Sequence, residues 1–346
     1  MKKFSYFLSA ALVAFAASMV SCSIEDNAAN GQDTRVKDAA ELITAIQSAN
    51  DGTLIELAPN AEITLTEELP EITKKVYILG VESAPAKIIM GEKGFTFASS
   101  FNILNVEIDA TALTSPLFAF SATPNEELKV ESGQYVIKDP IVIKNVTVNH
   151  LVKAFVADNG KSYSYVDFTV SDCLIQLDTQ KNVVFNFASS MPIHFNLTKS
   201  TVYSKESGTG NFIAMSGKRP WQTTGFEEET GKFTCANNTF YNVAKSKQFM
   251  NTNTLKGQKY LYEFNNNIFV DCSNKKIYGN MTNNKNQLTA SNNTYWYDGA
   301  AFAETNYNGD EGLKTDPAFK DAANGDFTPT GAEQVANQTG DPRWFK

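Results

Sequence analysis

Two short columns of polar side chains are the part of this chain that could do chemistry. Asp167, His194 and Lys232 form one; Thr169, Asn196, Thr234 and Glu263 form the other. Each residue stands five or three positions before a recurring polar residue, with apolar residues interleaved, and successive residues of a strand face opposite sides. Both columns therefore face away from the apolar interior. Carboxylates, an imidazole, an ammonium, an amide and hydroxyls on one ledge offer hydrogen bonding and charge to an elongated polar ligand. Lys218, Arg219 and Trp221 follow in a polar stretch, where an indole could stack on a pyranose ring and the cations could hold carboxylates. Asp167, His194, Asn196, Lys218, Arg219, Trp221, Lys232 and Glu263 are the expected ligand contacts. The competing reading is an ordinary solvated strand face, since exposed polar residues are the norm.

What would hold such columns is a repeat. Between Phe101 and Tyr295 one phrase recurs: two apolar residues two apart, a polar anchor, and another apolar residue three further on. The anchors are Asn105, Asn145, Asp172, Lys199, Asn237, Asn266 and Asn292, spaced 40, 27, 27, 38, 29 and 26 residues apart. A period of about 20 to 50 residues, with a period-2 strand inside each unit, signals a solenoid whose coils bury one another's apolar edges. β-Branched and aromatic residues dominate and heptads are absent, so the coils hold strands. Asn and Asp tolerate left-handed backbone, which predicts a sharp bend at each anchor, with Lys199 the exception in type. A second strand is expected within Pro116–Phe120, Val183–Phe187, Asn211–Met215, Gln248–Met250 and Lys276–Tyr278.

The long spacings imply excursions from one corner, about Ala122 to Gln134 and Ser216 to Gly231. Insertions on a solenoid gather on one face and often build its binding surface. With strands about 4.8 Å apart, three coils separate the two loops by roughly 15 Å, room for a sugar chain.

Delivery is written into the first 22 residues. Lys2 and Lys3 precede an apolar stretch from Phe4 to Val20 that ends at Ser21-Cys22, a pattern resembling a bacterial lipoprotein signal with Cys22 as the lipidated residue. The acidic Ser23-Ile24-Glu25-Asp26 resembles the export tag of Bacteroidetes lipoproteins displayed at the outer surface. Residues 23–35 read as a flexible tether. Residues 36–346 read as one domain, opened by a short amphipathic helix through Ala39, Leu42, Ile43 and Ile46 that caps the first coil.

Composition narrows the partners. The chain has 346 residues, 42% hydrophobic, and a net charge of −8 without a basic cluster, which argues against nucleic acid. Contact with the outer membrane would come through the Cys22 acyl chains, and a monomer is expected. Cys235 and Cys272 read as small core residues rather than a bridge, and metal-ligand spacing is missing among Cys173, Cys235 and Cys272. His150 and His194 are the only histidines and lie far apart in the repeat, so each reads as a surface or half-buried polar group. The Asn-X-Thr triplets read as by-products of Asn-rich bends, and Glu227 to Glu229 as a solvated loop tip.

The segment from Val36 to Gly80, a helix followed by Asp51-Gly-Thr-Leu-Ile-Glu-Leu57 and Lys74-Lys-Val-Tyr-Ile-Leu-Gly80, resembles the entry of pectin-lyase-like right-handed parallel β-helix proteins. Leu313 to Phe327 is similar to the closing segment of such proteins, and Gly340-Asp341-Pro342-Arg343-Trp344 is similar to an uncharacterised set of Bacteroidetes lipoproteins. The resemblance covers about nine tenths of the mature chain and implies an all-β, right-handed parallel β-helix with a short N-terminal capping helix. It specifies architecture better than chemistry. Lyases of this fold abstract the proton α to a uronate carboxylate with Lys or Arg, which makes Lys232 and Arg219 the candidate bases. Such lyases add Ca²⁺ on clustered carboxylates, but the ledge offers only Asp167 and Glu263, about three coils apart, so calcium enters only under the lyase alternative and no other cofactor or metal is expected. Paired carboxylates for glycoside hydrolysis are missing from adjacent positions. The reading that follows is a surface lipoprotein that binds or presents complex carbohydrate without catalysis; a uronate lyase and an adhesin are the alternatives.

Overall fold

The computed structural model describes residues 34–130, 135–158, 163–187, 191–215, 230–252, 260–273, 277–278, 286–301 and 312–345. The signal segment, Cys22 and nearly all of the tether lie outside these, as do Lys218, Arg219, Trp221 and Glu227 to Glu229. The described residues form a parallel β-solenoid, as the repeat predicts. Before each anchor runs a first face: Thr53–Glu56, Val76–Leu79, Phe101–Asp109, Ile141–Leu151, Tyr163–Ser171, Met191–Thr198, Gly231–Ala236, Tyr260–Asn265 and Asn286–Ser291, each paired in parallel with the next. Phe101–Asp109 and Ile141–Leu151 run through the bend onto a second face, which continues as Leu174–Leu177, Thr201–Ser204, Thr239–Tyr241, Ile268–Val270 and Thr294–Tyr297. A third face stacks Phe95–Phe97, Phe118–Phe120, Val156–Ala157, Phe185–Phe187, Ile213–Met215 and Met250–Asn251.

Four of the expected second strands are thus third-face strands. At the fifth, Ile277 and Tyr278 are buried but belong to no strand, and Lys276 is outside the described residues. The true second face was concealed in the phrase, because its strands are mostly three or four residues long and contribute only the phrase's last apolar residue.

All seven anchors adopt left-handed backbone, with φ between 50° and 63°. Lys199 does so at φ 50° despite being neither Asn nor Asp. The requirement comes from the coil rather than from the residue: the chain must turn from the first face to the second within one position, and the neighbours on both sides are already in register. Where the anchor is Asn, its amide also joins a column along the coil axis. Asn145 Nδ2 donates to Asn105 Oδ1 at 2.9 Å and Asn266 Nδ2 to Asn237 Oδ1 at 2.7 Å, and Asn292 Nδ2 donates to Asn266 Oδ1.

Inside, apolar residues of successive coils lie over one another, and many are aromatic. Phe195 and Phe233 stack with centroids 4.8 Å apart, and Phe240, Phe269 and Tyr295 continue at 5.2 and 5.6 Å. Burying such rings is the main term holding coil to coil. The position after each anchor also points inward and changes character along the axis: Val106, Val146, Cys173, Ser200, Asn238, Asn267 and Asn293, all at most 1% exposed. Apolar residues need no partner there; the asparagines do and have them. Asn267 Oδ1 accepts from the Asn238 backbone N–H and side-chain amide, both at 3.0 Å, while Asn267 Nδ2 donates to Cys235 O and Asn293 Oδ1. Cys173, Cys235 and Cys272 are buried free thiols, and burial pushes the Cys173 thiol up to about 12.

A helix covers the N-terminal end. Ala39–Gln47 is the expected helix, with the Asp38 side chain accepting from Glu41 N–H and with Leu42 and Ile46 buried on the first coil. At the other end Leu313 bridges in parallel to Thr294, and the tail then folds back along the outside of the second face, where Phe327 is fully buried against Tyr203 and Tyr241.

Candidate functional site

The two sequence columns exist in register. Asp167 pairs with His194 and His194 with Lys232 across the first face, while Thr169 pairs with Asn196, Asn196 with Thr234 and Thr234 with Glu263. All are half-exposed, and the residues between them, Phe168, Val170, Phe195, Leu197, Phe233 and Cys235, are fully buried. The alternation follows from strand geometry once the anchor fixes where the strand ends.

Side chains on this ledge bond to each other from coil to coil. His194 Nδ1 lies 3.0 Å from Asp167 Oδ1, and since a carboxylate only accepts, Nδ1 carries the proton and Nε2 is the ring's other nitrogen. Lys232 Nζ lies 2.9 Å from Glu263 Oε2, reaching diagonally to the next coil. Asn196 Nδ2 donates to Thr169 Oγ1 at 3.3 Å. The acidic and basic groups of the ledge are therefore bonded to one another, Asp167 to His194 and Glu263 to Lys232, rather than standing as a patch of one sign. Five of the expected contacts, Asp167, His194, Asn196, Lys232 and Glu263, come together; Lys218, Arg219 and Trp221 lie outside the described residues.

Both excursions leave from one corner. The first departs after Phe118–Phe120 and returns as Tyr135–Ile137 and Ile141–Leu151; the second lies between Ile213–Met215 and Gly231–Ala236, in each case between the third face and the first. The described part of the first does not overhang the ledge. Asn125 Nδ2 donates to Thr73 O at 3.0 Å and Lys74 pairs with Glu127 at 3.0 Å, which tie it to the N-terminal coils. Its return limb makes a bulge beside Asp167: Ile137 pairs with Tyr165 and Ile141 with Phe168, so Lys138, Asp139 and Pro140 face only Val166 and Asp167. Ser100 Oγ donates to Pro140 O at 2.6 Å, and Asn102, in the same outward column as Thr169, is only 1% exposed. The ledge therefore begins at Asp167.

Sequence reasoning missed the charges at that border. Asp139 pairs with Lys75 at 2.9 Å, and Tyr135 donates its hydroxyl to Glu126 at 2.7 Å with Lys129 over its ring. Nothing in the local pattern gave them away, since the excursion has no period. A second ionic group lies at the corner between the second and third faces, where Asp178 accepts from Lys205 Nζ at 2.8 Å and from His150 Nδ1 at 3.1 Å. Burial pushes the Asp178 carboxyl up, but Lys205 and His150 together hold it below its ordinary value. Among the described residues no three His, Cys, Asp or Glu side chains converge as a metal site.

Two families match separate parts of the chain. One, a domain of unknown function (DUF4957), matches residues 65–205; another, a domain of unknown function (DUF5123), matches residues 233–344. The first covers coils up to the second-face strand Thr201–Ser204, and the second begins at Phe233 and ends at Trp344, so the boundary falls at the second excursion. No curated protein and no solved structure matches the chain.

Proposed function

We propose that this is a lipid-anchored protein of the bacterial outer surface whose pectin-lyase-like β-helix binds or presents complex carbohydrate on the first face. The observation that carries the reading is the ledge itself: on successive coils, Asp167, His194, Asn196, Thr234, Lys232 and Glu263 offer donors and acceptors in register on a flat, half-exposed surface. Flat parallel strands with paired charges suit a ligand that is polar throughout, and coil spacing of about 4.8 Å brings several groups against one extended molecule. The lipoprotein-like signal ending at Cys22 and the acidic residues after it support the reading, because a lipid anchor on the outer surface would expose the domain to external polymers.

The test is a glycan array probed with protein beginning at Ser23, followed by titration of any hit. His194→Ala, Lys232→Ala and Trp221→Ala are each expected to weaken the hit at least about tenfold while leaving the fold intact. An array without hits, or hits that all three variants retain at full strength, would sink the reading. Release of an unsaturated, ultraviolet-absorbing product from uronate polymers, abolished by Lys232→Ala or Arg219→Ala, would replace it with the lyase alternative.

A further inference from the structure

Along the outside of the second face, the position two after each anchor from Asn145 onward forms a row: Thr147, Leu174, Thr201, Thr239, Ile268 and Thr294 are aligned by strand register. Thr147 and Leu174 are half-exposed, whereas Thr201, Thr239, Ile268 and Thr294 are at most 1% exposed. What covers them is the C-terminal tail, which travels backward over the coils and makes a polar contact at each. Gln334 Nε2 donates to Thr294 Oγ1 at 3.3 Å. Gly340 N–H donates to Asn266 O at 2.9 Å, and Asn266 Nδ2 returns a bond to Gln338 O at 3.0 Å. Asp341 N–H donates to Thr239 Oγ1 at 3.1 Å, and Thr201 Oγ1 donates to Asp341 Oδ2 at 2.8 Å while accepting from Trp344 Nε1 at 2.8 Å. Arg343 Nε holds the same carboxylate at 2.6 Å, so this 2% exposed charge is paired. Beside the row, Phe327 packs on Tyr203 and Tyr241 with centroids 4.9 and 5.5 Å apart.

The partners divide by family segment. Thr201 and Tyr203 belong to the DUF4957 match, whereas the tail and Thr239, Tyr241, Asn266 and Thr294 belong to the DUF5123 match. Gly340 makes the crossing possible: it sits at φ +110°, and a Cβ there would approach Ile268 Cδ1 to 2.8 Å and Thr239 Oγ1 to 2.9 Å.

We propose that the tail is an intramolecular latch: its Asp341-Pro342-Arg343-Trp344 end recognises Thr201 on the last coil of the first segment, so that the two segments unfold as one unit. A passive tail would contribute only burial to its own segment. The latch instead requires energetic coupling between residues 143 apart in sequence.

The test is made on the full chain. Hydrogen exchange is expected to show the amides of Val202, Ser204 and Phe240 opening together in the parent protein, and Asp341→Ala with Trp344→Ala, which removes both side-chain bonds to Thr201, to speed those of Val202 and Ser204 at least about tenfold. Should that variant fail to accumulate as folded protein, Thr201→Val, Trp344→Phe and their combination keep an apolar side chain at each place and remove the hydroxyl-indole bond, Thr201→Val also the bond to Asp341 Oδ2. Non-additive stabilities in that cycle support the latch. Additive stabilities, or unchanged protection of Val202 and Ser204 in the first variant, overturn it.

Discussion

The coils carry two polar columns whose energetic stakes are opposite. Inside, Asn238, Asn267 and Asn293 are fully buried, and each amide bonds both to backbone and to a neighbouring amide along the axis. Outside, the Asp167–His194 and Lys232–Glu263 pairs keep side-chain exposures between 28% and 39%. Water can replace a partner for the second column and cannot for the first. The buried column is therefore a fixed part of the fold, whereas the ledge is free to exchange its internal bonds for bonds to a ligand. A half-exposed ion pair holds its side chains in place at little cost and gives them up at little cost.

The sharpest way to break this contrast is Asn267→Val. The N-terminal coils already hold Val106 and Val146 in this position, so shape alone is acceptable to a coil. In its own coil, however, the substitution strips a partner from the Asn238 N–H, the Asn238 amide and Cys235 O at once, while Asn293 Oδ1 keeps the backbone N–H of residue 267. A loss of about 3 kcal/mol or more is expected, read as a shift in the denaturant midpoint with unchanged slope. A loss below about 1 kcal/mol would mean that water or relaxation satisfies these groups, and the two columns would then not differ in kind.

On the ledge the same experiment should give a small number. His194→Ala and Lys232→Ala are each expected to change stability by less than about 1 kcal/mol. Losses matching that of Asn267→Val would show the ledge to be structural and would remove the freedom that a binding role needs.

Acid titration sharpens the comparison at the other ionic group. Asp178 has a folded pKa below its unfolded value, so its contribution is present above the unfolded value, near 3.9, and is lost as pH falls through the folded one. As pH falls below about 4 the parent protein should lose stability more steeply than Asp178→Asn, measured as denaturant midpoints at successive pH values. Parallel slopes would mean that Lys205 and His150 do no more for Asp178 in the folded chain than water does.

The coil was legible in the sequence because its two rules are local: period-2 burial and a left-handed residue at a fixed place. Both could be seen at Phe233, Cys235 and Asn237 before any coordinates. The ledge columns followed from the same counting, including the register of Thr234 with Glu263. What could not be counted was mutual pairing, since Asp167 turning to His194 and Lys232 to Glu263 depends on rotamers and on the coil above. The buried amide column had a signal that went unused, the doublets Asn237-Asn238, Asn266-Asn267 and Asn292-Asn293, in which one amide faces out and the next faces in. The course of the tail had none, because Trp344 meets Thr201 only after every intervening coil is built.

Lys199 offers the finest test of the comparison, because it interrupts the outward anchor column without touching the buried one. At φ 50° it occupies a backbone region that is unfavourable by roughly 1–2 kcal/mol for an ordinary L-residue and easier for Asn. Its side chain is exposed, and the next anchor in the column is Asn237, whose Oδ1 already accepts from Asn266. Lys199→Asn should therefore relieve strain and bring one more amide to the column, raising stability by about 0.5–1 kcal/mol and the thermal midpoint by roughly 1–3 °C. The buried Ser200 and its bonds to Cys173 N–H and Thr198 O should be untouched, so the gain should add to the effects of substitutions in the buried column. A lowered midpoint would mean that the lysine stem shelters neighbouring apolar surface, and the outward column would then be set by packing rather than by backbone strain.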